Sequence, residues 1–243
     1  MGSNAEGYGA LYLMPVWLGE NGGTEELPPE NIMIAARVDL WFCENEKTAR
    51  RMLRRMVPEI DLPKQEMHRF DKDSSMHDAN ALLELMKNGR DAAIISEAGM
   101  PGIADPGARL VLAAHASGIT VVPLIGPSSL FLSLAASGLN GQQFTFHGYL
   151  PVKPNERKVA IKRIEEDALR SGGAQLFMET PYRNDVLLAD VLEQCAAHTI
   201  LTIAVDLTQP HGSVRSLEVG QWRKARPELG KRPAIFIIGV RAR

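Results

Sequence analysis

Short apolar runs punctuate the N-terminal half of the chain: LYLMPVW from Leu11, DLWFC from Asp39, AAIIS from Ala92 and TVVPLI from Thr120. Between them, apolar positions recur every three or four residues, which predicts helices over 29–38, 45–56, 75–88, 106–116 and 128–137. Gly89, Gly118 and Gly138 stand where helix stop signals are expected. Strands alternating with helices in this way predict a mainly parallel sheet covered by helices. After Gly141 the rhythm restarts with QFTFHGYL, a basic helix over 156–170, AQLFMET, a helix over 183–197, and TILTIAV. SVRSLEV and AIFIIGV then follow with little helix between them, so the second sheet is expected to be mixed. The pattern gives two α/β domains, 9–141 and 142–243, with the boundary near residues 140 to 143.

A length of 243 residues suits two small domains better than one. Apolar residues make up 45% and charged residues 23%, the balance of a chain with a real core. The net charge of −2 supplies no whole-molecule field toward nucleic acid or anionic membrane, so any such binding needs a local patch. Cys43 and Cys195 lack metal-ligand spacing and sit in apolar stretches, which reads as buried free thiols. His68 and His77 are too scattered to suggest a metal site, and none is expected. With no apolar run of roughly 18 residues and no secretory leader, a cytoplasmic enzyme that does not engage membranes is expected. The opening MGSNA reads as an appended vector-derived segment, and about the first eight residues are set aside.

Candidate chemistry concentrates where strands end. SEAGMPGIADPGARLV, residues 96 to 111, follows the strand that closes at Ile95. In an open α/β sheet, ligands bind beyond the carboxyl ends of strands. Gly99, Gly102 and Gly107 allow close backbone approach, Pro101 stiffens the turn, and Asp105 before Pro106 has the form of an N-cap. Glu97 is placed to meet a ligand amine or hydroxyl or simply to be solvated. A second loop, LIGPSS, turns at Gly126 and Pro127 and offers Ser128 and Ser129 as caps or ligand contacts. The first loop, 15–24, is glycine-rich yet contains neither G-x-G-x-x-G nor a Walker A sequence, which argues against nicotinamide and nucleoside-triphosphate binding. Hydrolase motifs are missing as well.

Taken in order, P-x-x-x-G near the start, SEAGMPGIADPG, VPLIGPSS, FHGYLPVKPNERK, FMETPYR and DLTQPH resemble the tetrapyrrole methylase family. Within it they are most similar to the ribosomal RNA small-subunit methyltransferase I branch, over residues 11 to about 215. The resemblance implies a class III methyltransferase: two α/β domains with S-adenosylmethionine in a cleft between them, usually a homodimer. It implies cofactor contacts at Pro15, Glu97, Ala98, Gly99, Pro101, Ile103, Ser128, Ser129, Met178, Pro233 and Ala234. Glu179, Pro181 and Arg183 match an E-[ST]-P-x-R segment, which implies a charged pair beside the reactive centre; an ordinary intradomain ion pair is the plainer account.

The chain departs from the family pattern on the acceptor side. The first loop reads WLGENGGTEELPPENI where G-N-L-G-D is usual, and Glu44-Asn45-Glu46-Lys47 stand where relatives carry E-D-T-R. His68 matches the first histidine of Y-H-E-H-N, but Arg69, Phe70 and Asp71 replace the E-H-N that completes it. For a ribose hydroxyl, Glu179, His68 and Glu44 are the candidate proton acceptors. RNA requires cations, and two clusters on and near helices supply them, Arg50 among Arg37, Lys47, Arg51, Arg54 and Arg55, and Lys153 among Arg157, Lys158, Lys162 and Arg163. Arg50, Arg183 and Lys153 are the candidate substrate contacts, with small-subunit ribosomal RNA the expected partner. A precorrin-like ring acceptor and a cofactor-binding scaffold without acceptor chemistry are the alternatives.

Overall fold

The computed structural model describes residues 7–240, so the MGSNA opening lies outside the described residues. The chain divides into compact units, the first ending at Ser128 and the second starting at Ser129. In the first, β1 (Leu11–Met14), β2 (Leu40–Cys43), β3 (Glu66–Arg69), β4 (Ala92–Ile95) and β5 (Val121–Pro123) form a sheet in the order β3-β2-β4-β1-β5. Every adjacent pair is parallel. Its helices are α1 (Pro29–Arg37), α2 (Glu46–Met56), α3 (Met76–Leu83) and α4 (Gly107–Ala116).

Strand order dictates where these helices lie. From β1 through β2 to β3 the chain steps one way along the sheet; from β3 through β4 to β5 it steps the other way. Because such crossovers are right-handed, the two sets of helices must cover opposite faces. Ile34 and Ala35 of α1 and Met52 and Leu53 of α2 accordingly pack with Trp41, Ala93 and Ile95. Ala79 and Leu83 of α3 and Leu110 and Ala113 of α4 pack with Phe42, Ala92 and Ile94 on the other side. Burial on both faces is why AAII reads as a continuous apolar run. The chain leaves the neighbouring strands β1 and β4 toward opposite faces, so their carboxyl ends border the crevice that such sheets use for ligands.

The second unit contains α5 (Ser129–Ser137), β6 (Phe144–Tyr149), α6 (Pro154–Ser171), β7 (Ala174–Met178), α7 (Asn184–Gln194), β8 (Ile200–Val205), β9 (Ser213–Glu218), α8 (Val219–Lys224) and β10 (Ala234–Gly239). The sheet order is β6-β7-β10-β8-β9, with β6 and β7 parallel and the other pairs antiparallel. Helices α6, α7 and α8 cover Phe177, Leu201, Ile203 and Phe236 on one face. The buried Arg157 donates to Asp190 at 2.7 Å and so joins α6 to α7. Leu134 of α5 packs with Leu176, Ile235 and Ile237 on the opposite face.

The fold class expected from the pattern is the one observed, a parallel sheet followed by a mixed one. Several details differ. Helix α5, expected to close the first domain, covers the second sheet through Leu134, so the division falls at Ser128 rather than near residue 140. Strand β3 was not expected: EMHR is an edge strand with only Met67 buried, so it has no apolar run to betray it. The helix expected to reach Asn88 stops at Leu83 and continues as a 3-10 turn, and Asn88 and Gly89 turn with positive φ. Pro106 caps α4, which begins at Gly107, one residue later than the Asp-Pro signal suggests. Among the described residues, no helix is long and apolar enough to cross a membrane.

Candidate functional site

In the first unit three strand-end loops are pinned together by their backbones. Val16 N–H donates to Gly99 O at 2.9 Å, tying the loop after β1 to the loop after β4. The buried Ser96 hydroxyl donates to the same carbonyl at 2.8 Å. Gly99 has φ of 67°, and a Cβ there would stand 3.2 Å from Pro127 O, in the loop after β5. At Gly126 a Cβ would overlap Pro15, and Asn31 Nδ2 of α1 holds the neighbouring Ile125 carbonyl at 2.9 Å. Small residues are thus required because the loops touch backbone to backbone. Ile125 is left 76% exposed and Ile103 38%, an apolar surface on these loops. Ala104 holds φ of 59°, a left-handed conformation that costs a residue with a Cβ on the order of 1 kcal/mol or more and that persists where a site demands it.

Asp105 shapes the second loop by accepting from Gly102 N at 2.6 Å and Gly107 N at 2.8 Å. Its burial raises its pKa against the lowering effect of those two bonds. Glu44, which follows β2, is likewise raised, first by burial and then by the charges of Asp105, Glu97 and Asp71. Carboxylates therefore gather along the carboxyl edge of this sheet, and residues 15–28, 96–106 and 124–128 contain no lysine, arginine or histidine. Among the described residues, no group of three or more His, Cys, Asp or Glu side chains could hold a metal ion.

In the second unit the chemistry sits where β7 ends. Ile235 pairs with Met178 across the antiparallel ladder, bringing the start of β10 with Pro233 and Ala234 alongside it. The next residue, Glu179, has a side chain only 1% exposed. Its Oε1 accepts from Thr180 N at 2.7 Å and from Arg183 Nη2 at 2.6 Å, which raises the arginine's already high pKa. Its Oε2 is buried without a partner, as are Arg183 Nε and Asn184 Oδ1. Asn184 Nδ2 donates to Arg232 O at 2.7 Å, fixing the start of α7 to the chain that enters β10. Unpartnered atoms of both hydrogen-bonding characters are thus concentrated within six residues, where no protein atom meets their hydrogen-bonding capacity.

A sequence profile described as tetrapyrrole (corrin/porphyrin) methylases matches residues 21–221. The chain belongs to the tetrapyrrole methylase family. Ribosomal RNA small subunit methyltransferase I of Xylella fastidiosa is 30% identical over 201 residues, covering 83% of this chain and 69% of that protein. The protein of the same name from Micromonospora olivasterospora is 35% identical over 186 residues, covering 76% of this chain and 55% of its own length. The solved structure of the methyltransferase CobJ shares the fold, with a TM-score of 0.64 at 22% identity over 96% of this chain and 94% of that one.

Against this tetrapyrrole methylase framework, the expected site residues fall into groups. Pro15, Glu97, Ala98, Gly99, Pro101 and Ile103 share the strand-end loops of the first unit; Pro15, Gly99 and Pro101 are buried, whereas Glu97 and Ala98 are exposed. Ser128 closes the loop after β5 and Ser129 opens α5. Met178, Glu179, Arg183, Pro233 and Ala234 share the end of β7 and the start of β10. Glu44 lies at the carboxyl edge of the first sheet, but His68 lies within β3 and is bound 2.7 Å from Glu66, which Arg90 also holds. Most of the expected basic face is engaged locally. Arg50 donates to Leu62 O at 3.0 Å, Arg54 to Pro58 O at 2.8 Å and Arg55 to Gly22 O, while Lys153 pairs with Glu156 at 3.0 Å. Sequence reading missed Ser96, Asn31 and Asn184. The polar interruption of otherwise apolar helix faces was the available signal for the last two.

Proposed function

We propose that this chain is an S-adenosylmethionine-dependent methyltransferase that modifies a ribose 2′-hydroxyl of small-subunit ribosomal RNA. The names of the relatives similar over most of this chain support the acceptor class. The observation that carries the chemistry is the free Oε2 of a buried carboxylate, Glu179, whose other oxygen is fixed by Thr180 and Arg183.

The residues present fit this cofactor. A sulfonium donor is cationic and amphipathic, and the strand-end loops offer backbone carbonyls, exposed Ile103 and Ile125, and no cationic side chain. Loops that a Cβ would wedge apart at Gly99 and Gly126 provide a close-fitting backbone surface. When bound, the cofactor supplies an electrophilic methyl group whose transfer leaves a neutral thioether. Within the chain, Glu179 Oε2 accepts the proton released as the hydroxyl oxygen gains carbon, and Arg183 holds the carboxylate in place through Oε1. The Glu97 carboxylate and the backbone around Gly99 bind the donor, and Glu179 follows Met178 at the end of β7, alongside Ala234 at the start of β10.

We also assign the enzyme to the cytoplasm as a homodimer. The second assignment is supported by Phe131 and Phe144, which pack edge to face at 6.1 Å yet remain 52% and 41% exposed beside the edge strand β6.

The test is incubation with methyl-labelled S-adenosylmethionine and small ribosomal subunits from a strain lacking this protein. The proposal expects label in the RNA, and a loss of about a hundredfold or more in Glu179→Gln with cofactor affinity kept. Label in a precorrin-like ring and none in RNA would move the acceptor to the ring; cofactor binding with no label anywhere would make the chain a scaffold.

A further inference from the structure

Tyr182 lies in the 3-10 turn Pro181–Arg183, between the buried Glu179 and the start of α7. The residue is 77% exposed, the greatest exposure among the large hydrophobic residues of the described chain. The ammonium of Lys231 stands over the ring, 5.2 Å from its centroid. We propose that Tyr182 and Lys231 form a stacking platform that receives an unpaired nucleotide of the RNA substrate beside Glu179.

Both members stand on backbone that is already fixed. Arg183 N donates to Thr180 O at 2.9 Å, closing the turn that carries Tyr182. On the other side, Asp185 accepts from Leu229 N at 2.8 Å and Gly230 N at 3.0 Å, while Asn184 holds Arg232 O and Arg226 holds Asp185 O. Lys231 is therefore presented from a loop clamped onto the first residues of α7. A solvent-exposed cation–π contact on its own holds a lysine only weakly. An exposed aromatic on fixed backbone, with the face away from the lysine open, is instead what a base needs in order to stack at low ordering cost.

The surrounding charges favour RNA over an acidic peptide or a protein surface. Most nearby carboxylates are engaged, Glu179 by Arg183, Asp185 by two backbone N–H groups and Asp206 at 3.8 Å from Arg232, while Glu228 of the same loop is exposed. Among the described residues Lys231 and Arg226 form no ion pair, and both are exposed. An open aromatic face with two exposed cations against one exposed carboxylate in the adjoining loop matches the base and phosphate of a single-stranded nucleotide. This inference rests on the ribosomal RNA reading above and adds to it a contact outside the groups that meet the reacting atoms.

The experiment measures methyl transfer to small ribosomal subunits by the full chain as subunit concentration and salt are varied, with S-adenosylmethionine affinity measured separately by calorimetry. Tyr182→Ala is expected to raise the KM for subunits by about tenfold, with cofactor affinity unchanged and Tyr182→Phe close to the unaltered protein. Lys231→Ala is expected to flatten the salt dependence of subunit binding by about 0.7 in log–log slope, the loss of one phosphate contact on a single strand. Unchanged KM and salt slope in both variants, with the unaltered protein active on RNA, would overturn the platform and leave the ribosomal RNA reading standing. Failure of the unaltered protein to bind or methylate RNA would overturn both. Lys231→Glu, at an exposed position away from any core, gives the same readout should Tyr182→Ala not fold.

Discussion

At Gly126 there is no room for a side chain, because a Cβ would overlap Pro15 across the gap between two strand-end loops. Gly126→Ala is expected to cost about 1–3 kcal/mol in urea unfolding and to weaken cofactor binding, since the loops must separate. Ala104→Gly is expected to be neutral or up to about 1 kcal/mol stabilising, because glycine relieves the positive φ that alanine holds there. Glu44 gives a pH dependence. Its pKa is raised in the folded protein, so its ionisation works against folding. Stability from this group is complete below the ordinary glutamate range and is lost as pH rises through the raised value. Glu44→Gln should therefore melt at a higher temperature than the unaltered protein near pH 7, with the gap closing as pH falls from the raised value toward 4.5; a gap independent of pH would contradict the assignment. The glycines themselves were legible as strand-end loops. What each one touches was not, because Pro15 and Gly126 meet only through the sheet.

Between α6 and α7 the Arg157–Asp190 pair is buried, and it carries a sharper prediction than the exposed Lys158–Glu193 pair beside it. Asp190→Ala leaves a buried guanidinium without its carboxylate and should cost about 3–5 kcal/mol in urea unfolding. Glu193→Ala should cost less than about 1 kcal/mol. The helices were readable from periodicity, yet their basic residues were not readable as partners. Arg50, Arg54 and Arg55 of α2 point to a nucleic-acid face in the sequence but spend their donors on Leu62, Pro58 and Gly22 carbonyls. Arg157 was one of the expected basic cluster and proves to be core. Strand β3 escaped because an edge strand with one buried side chain has no hydrophobic period to read. Helix α5 was read correctly as a helix but assigned to the wrong sheet, since the chain pattern does not say which face Leu134 covers.

For the molecule as a whole, membership of the tetrapyrrole methylase family was legible in the order of its strand-end motifs, and the profile match over residues 21–221 agrees. The dimer assignment makes a prediction at this scale: Phe131→Glu with Phe144→Glu should convert a dimer to a monomer in sedimentation equilibrium. A monomeric unaltered protein at micromolar concentration would end that assignment. The central claim concerns which atom receives the methyl group. RNA labelled by this protein with methyl-labelled S-adenosylmethionine should be digested to completion with alkali and the products separated by size. Alkaline cleavage needs a free 2′-hydroxyl, so ribose methylation predicts that the radioactivity runs as alkali-resistant dinucleotide. Radioactivity in mononucleotides would mean a methylated base, and an RNA fraction without label would mean another acceptor; either result would contradict the account.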